Sequence, residues 1–193
     1  MSTSKGSAKL YAIGVICIVV VLTAFFVVFD FTQPQETPEI TRESVIPEAA
    51  VKMTSDADLY PPILHSDEWS QPVPLGNAVN TAGGEDSPFI LPDGETLYFF
   101  FTPNVTVPAE EQVLDGVTGI YVSTKQNGVW TTAERVILQD AGKLALDGAE
   151  FVKADVMWFA SAREGYTGVN LFTAGFKDGE WANWQYVGDK LIK

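Results

Sequence analysis

At 193 residues the chain has room for one ordinary domain, and 12 basic against 25 acidic residues leave it a net charge of −13 and a pI near 4.3. Such acidity without a Lys/Arg cluster excludes nucleic acid as a partner and disfavours docking on anionic headgroups. The single Cys17 rules out an intrachain disulfide or Cys-based zinc site, and the single His65, in a proline-rich stretch, supplies neither a zinc hydrolase nor a Ser–His–Asp triad.

Residues 10–29 carry no charge and are rich in Val, Ile, Leu and Phe. At a helical rise of ~1.5 Å per residue such a run crosses a hydrocarbon core of ~30 Å. Lys5 and Lys9 precede it and Asp30 ends it. The positive-inside rule then predicts a cytoplasmic tail over 1–9, a transmembrane signal anchor over 10–29 and an extracytoplasmic remainder on the cell membrane. A cleaved signal peptide is the competing reading. Its apolar core is ~7–15 residues and closes on a small-x-small site, whereas this run closes on Phe25, Phe26, Val27, Val28 and Phe29. Ile16 before Cys17 removes a lipobox.

Residues 30–62 contain Pro34, Pro38, Pro47, Pro61 and Pro62 among scattered acids, without a helical or strand period. That composition predicts an extended stalk, with room for a short helix over 43–53.

From residue 63 onward the chain repeats itself. Ile120-Tyr-Val-Ser-Thr-Lys-Gln-Asn-Gly-Val-Trp130 returns as Leu171-Phe-Thr-Ala-Gly-Phe-Lys-Asp-Gly-Glu-Trp181. Upstream, Phe89-Ile90 and Leu97-Tyr98-Phe99 return as Phe151-Val152 and Met157-Trp158-Phe159. Repeats of roughly 40–50 residues made of short strands predict an all-β fold. The expected form is a partial β-propeller of about two four-stranded antiparallel blades plus one outer strand, over 63–193. Strands are predicted at 87–91, 96–102, 119–125 and 129–138, then at 149–153, 156–161, 170–176 and 180–187. Asn127-Gly128 and Asp178-Gly179 suit type I′ hairpin turns, which need φ > 0 at both central residues. Trp130 and Trp181 follow these turns alike and are predicted to pack between blades, with Trp69 as a third member on an outer strand over 67–73.

Four carboxylates sit at the starts of the innermost strands, Glu85 and Asp86 in one repeat, Asp147 and Glu150 in the other. In a propeller they would line a channel mouth. There they could bind a ligand, hold Ca²⁺, which takes 6–8 oxygens, or act as acid and base on a glycoside. Alternatively each only accepts backbone N–H bonds from its turn. No other cofactor is indicated. The insertion over 103–117 belongs to the first repeat alone and carries the one sequon, Asn104-Val-Thr106.

The stretch Trp69-Ser-Gln-Pro-Val-Pro-Leu-Gly-Asn-Ala-Val-Asn-Thr81, followed by Glu85-Asp-Ser-Pro-Phe-Ile-Leu-Pro-Asp-Gly-Glu-Thr-Leu-Tyr-Phe99, resembles the TolB-type repeats, relatives of the WD repeat with a Pro-Asp-Gly turn. Ser161-Ala-Arg-Glu-Gly-Tyr-Thr-Gly-Val-Asn-Leu-Phe172 resembles a second passage of those repeats. The second repeat replaces Pro-Asp-Gly with Lys153-Ala154-Asp155, so a tighter turn is expected there. The resemblance implies a non-catalytic binding or scaffolding propeller in the cell envelope and names no ligand. The leading expectation from the whole sequence is a membrane-anchored propeller that binds a glycan, peptide or protein partner through its channel mouth. A propeller glycoside hydrolase and a purely structural envelope protein are the alternatives. Two and a fraction blades do not close a ring of ~4–8, which predicts that these residues begin a longer protein. Assembly of several short chains into one ring is the other way to close it.

Overall fold

Short apolar runs separated by turn residues over 84–102 and 119–135 build a first antiparallel sheet, and the same pattern over 145–186 builds a second. The computed structural model describes residues 40–188. The expected tail, membrane segment and first part of the stalk (1–39), and residues 189–193, lie outside the described residues. Among the described residues no helix is long and apolar enough to cross a membrane.

The first sheet comprises β1 (Gly84–Ile90), β2 (Thr96–Thr102), β3 (Gly119–Gln126) and two short pieces on β3, β4 (Val129–Trp130) and β5 (Glu134–Arg135). The second runs β6 (Ala145–Lys153), β7 (Val156–Arg163), β8 (Asn170–Lys177) and β9 (Glu180–Tyr186), paired in sequence order. The two sheets share strand order and punctuation. Asn127 and Gly128, with φ of 51° and 81°, match Asp178 and Gly179, with 55° and 90°, as the I′ preference requires. Between β6 and β7 the turn is tight: Lys153 pairs with Val156, and Ala154 alone takes a positive φ. The predicted fourth strand of the first sheet is interrupted at 131–133, where Ala133 donates its N–H to Ala78 O instead of to β3.

Both inner strands are bulged at the same place, between Asp86 and Phe89 and between Gly148 and Phe151. Ser87 and Ala149 each take φ 51° there. The bulge reverses the facing of the residues beyond it, so Glu85 and Asp147 occupy equivalent positions while Pro88 corresponds to Glu150.

Each β2 or β7 side chain alternates between two faces. Tyr98, Ile120 and Val122 of the first sheet meet Met157, Phe159, Phe172 and Ala174 of the second in one apolar cluster. At the inner edge Phe89 and Phe151 touch edge to face, ring centroids 5.0 Å apart. Gly148 is needed beside them, because a Cβ there would lie 2.9 Å from the Phe100 ring. The opposite face of the first sheet, Leu97, Phe99, Phe101 and Tyr121, is covered by Leu75, Val79, Val45 and Ile46.

That covering segment corrects the stalk. A single turn of helix, α1 (Arg42–Val45), is closed by a reciprocal Thr41–Ser44 capping box and stops before Pro47. It is shorter than the helix expected over 43–53. Arg42 is 3% exposed and donates to Val79 O and Ala78 O at 2.9 Å each. The compact unit therefore begins at Ile40, not at residue 63. The outer strand expected over 67–73 is not formed, and Trp69 is 74% exposed. Pro72 and Pro74 lack the N–H groups a sheet ladder needs, so this stretch stays irregular. In the 103–117 insertion, α2 (Ala109–Gln112) is one further helical turn.

Candidate functional site

The four acids singled out from sequence do not gather into one metal-holding group, although the Asp86 charge acts on Glu150. Among the described residues there is no group of three or more His, Cys, Asp or Glu able to hold a metal ion. A shared Ca²⁺ cage at these four positions is thus not formed.

Glu85 and Asp147 instead do the same structural task in the two sheets. Asp147 is 4% exposed and accepts from Arg163 Nη2 at 2.7 Å, while Arg163 Nε donates to Ser161 Oγ at 3.0 Å. The Arg163 guanidinium lies over Phe159, Phe172 and Trp184, at 5.3, 4.6 and 4.5 Å from the ring centroids. Glu85 accepts from Thr81 N and Oγ1 at 3.0 and 2.6 Å, with Arg42 Nη1 at 3.8 Å. Arg42 lies over Phe99, Phe101 and Tyr121 at 5.2–5.5 Å. Each carboxylate therefore faces a buried arginine that is seated on the aromatic face of its own sheet, an arrangement that repays desolvation by pairing and cation–π attraction together. Burial beside these rings pushes the Tyr121 phenol up to about 12, against the opposing pull of Arg135 and Arg42.

Asp86 is exposed and accepts from Ser87 N at 2.6 Å. Glu150 is the exception among the four. It sits at the β6 bulge, 5% exposed, with no partner for either carboxylate oxygen beyond its own residue's backbone. Burial, with the Asp86 charge adding to it, pushes its carboxyl up to about 7.

Trp181 packs between the two sheets. Half-buried on β9, it touches Tyr98 of the first sheet edge to face at 6.2 Å and donates Nε1–H to Tyr98 Oη at 3.2 Å. Phe176, its pairing partner on β8, lies tilted against it at 4.9 Å. Trp130, the equivalent residue, packs on the opposite side of the first sheet, with Lys125 Nζ 4.8 Å over its ring. Asn104 is half-buried, its Oδ1 accepting from Thr106 N and Oγ1 at 3.0 and 2.7 Å.

Trp181 and Tyr98 open onto the feature that sequence reading missed, a cleft of about 900 Å³ between the two sheets at their hairpin ends. Its apolar wall comes from Tyr98, Val122, Val136, Val152, Phe176 and Trp181. Its charged rim comes from Glu134 on β5, Asp155 in the β6–β7 turn and Glu180 on β9, together with Arg135. The Arg135 guanidinium is turned to backbone, donating from Nη2 to Thr118 O at 2.9 Å and from Nη1 to Gly116 O. The volume lies within the ~300–1,000 Å³ common for small-ligand sites. Burial raises the Tyr98 phenol above its ordinary range, so it stays a neutral hydroxyl at this wall.

No protein-family model, curated protein or solved structure matches the chain. The chemistry of the cleft must therefore be read from its own residues. It has one apolar aromatic wall, a fixed indole–phenol pair and a carboxylate rim. Such a surface can bind a ligand. Glu150 has a raised pKa, and both of its carboxylate oxygens are buried without a hydrogen-bond partner from another residue.

Proposed function

We propose that the chain is a membrane-anchored, extracytoplasmic binding or scaffolding module. On this reading residues 10–29 anchor it and the two sheets are successive blades of a TolB-like β-propeller. The inter-sheet cleft receives a glycan, peptide or protein partner. The observation that carries the binding role is the cleft itself: two equivalent sheets stack face to face, and beyond Trp181 their hairpin ends part to leave about 900 Å³ against an aromatic wall. The blade assignment is supported by the shared strand order, the paired I′ turns and the paired inner-strand bulges. The anchor reading is supported by the uncharged run over 10–29 flanked by Lys5, Lys9 and Asp30.

The test has two arms. Protease added to intact cells expressing the full chain should remove the folded part and leave the N-terminal tail protected; complete protection would refute the extracytoplasmic placement. The full chain in mild detergent, presented to arrays of glycans and peptides, should retain at least one class, and Trp181→Ala should lose it. A ligand held equally by Trp181→Ala would move binding away from the cleft.

A further inference from the structure

We infer that the cleft between the two sheets takes the Lys or Arg side chains of an extended basic peptide. This rests on the binding-module reading and names the class of ligand within it. The polar surface offered by the cleft is dominated by acceptors. Glu134, Asp155 and Glu180 are all exposed, come from three separate elements, and take part in no ion pair among the described residues. Among the described residues of the lining Arg135 is the one cation, and its Nη atoms are committed to Thr118 O and Gly116 O. Tyr98 Oη already accepts the Trp181 N–H. A ligand rich in donors and positive in charge satisfies this rim, and an anion is repelled by it.

The wall below the rim selects the rest of the ligand. Aliphatic Val122, Val136 and Val152 and the rings of Tyr98, Phe176 and Trp181 suit a methylene stem topped by an ammonium or guanidinium. A cation near the indole or phenol face is attracted by the ring quadrupole as well as by the carboxylates. The net charge of −13 adds a long-range field that draws such a peptide in. The same charge would also bind basic peptides diffusely, so the test must separate site from surface.

Isothermal titration of the full chain in mild detergent compares three probes: a capped peptide alternating Lys and Leu, its Glu-for-Lys counterpart, and a neutral linear oligosaccharide. The expected result is binding of the Lys peptide alone, weakening as salt rises. Asp155→Asn with Glu180→Gln should lower that affinity about tenfold. Both residues are exposed and neither carboxylate supports the fold. The control, Glu110→Gln with Glu111→Gln on α2, removes the same charge away from the cleft lining and should change nothing. Equal losses in the two double variants would overturn the cleft as the site, as would Glu-peptide binding as tight as that of the Lys peptide. Oligosaccharide binding without Lys-peptide binding would overturn the cationic ligand and leave the binding module standing. Binding of none of the three would count against both.

Discussion

Glu150→Gln should make the protein more stable at pH 8 and leave it nearly unchanged at pH 4. The Glu150 carboxyl is raised from 4.5 to about 7 in the folded state, because burial and the neighbouring Asp86 charge disfavour its ionised form. A group whose folded pKa is raised contributes stability fully below its unfolded pKa, and loses it as pH climbs through the folded value. The window here is pH 4.5 to 7, and stability falls across it. A tenfold change in proton affinity corresponds to about 1.4 kcal/mol, so ionising Glu150 costs on the order of 3 kcal/mol at pH 8. Gln mimics the neutral acid and carries a comparable unmet hydrogen-bonding demand, so the difference between the two proteins isolates the charge. At about 2–4 °C per kcal/mol for a domain of this size, the Tm gain at pH 8 should be roughly 6–12 °C. Urea titration of the full chain in mild detergent, followed by tryptophan fluorescence at pH 4, 6 and 8, measures the stability difference. Parallel pH profiles for the two proteins, or a less stable Gln variant at pH 8, would refute a buried, unpaired Glu150.

The tryptophans should separate by place: Trp181→Ala should cost ~3 kcal/mol or more, Trp130→Ala less, and Trp69→Ala under ~0.5 kcal/mol, all by urea titration. Arg163→Met should cost ~3–5 kcal/mol by stranding Asp147, and Arg163→Met with Asp147→Leu should recover part of that loss, which a double-mutant cycle reads directly. Deleting residues 1–29 should move the protein from the membrane to the soluble fraction on cell fractionation; full-length protein that is already soluble and starts near Thr32 would point to a cleaved signal instead.

The strands are legible in the sequence because two signals agree. Thr96–Thr102 and Val156–Arg163 carry the short continuous apolar runs of strands covered on both faces, and Asn127-Gly128 and Asp178-Gly179 mark where the chain turns back. The paired bulges are not legible. Ser87 and Ala149 take a positive φ that neither residue type announces, and without it Glu85 and Asp147 cannot be assigned to their arginines. Arg42 stands hidden in a stretch whose prolines suggest a stalk. Trp69 misleads in the other direction, since its setting after Asp67-Glu68 resembles that of a strand although 67–73 forms none. The cleft is beyond local reading altogether. Glu134 comes to the same cleft as Asp155 and Glu180 only because one sheet stacks on the other, and no periodicity records that.

The two arginines do the same task under two different covers: the aromatic face of the second sheet lies against the first sheet, and that of the first lies under Val45, Ile46, Leu75 and Val79. Phe159 and Phe172 face the first sheet and carry Arg163 from strand β7. Phe99 and Tyr121, at the equivalent positions, have no arginine on their own strands; theirs comes from α1, on the segment that covers them. The covering segment thus stands where a neighbouring sheet would stand, and it satisfies the same need: a donor-rich plane over exposed rings, tied to the carboxylate of the inner strand. Arg42→Met should therefore do more than lose a surface ion pair. It removes the hydrogen bonds to Ala78 O and Val79 O and the cation above three rings, and it leaves Glu85 with Thr81 alone. Methionine fills much of the volume, so packing loss is small and the polar loss dominates, on the order of 2–4 kcal/mol. Hydrogen exchange should show residues 75–81 and β1 opening first, while β6 to β9 keep their protection. Uniform loss of protection across both sheets would mean that the segment is an integral part of the core, and that the cap is not a separable element.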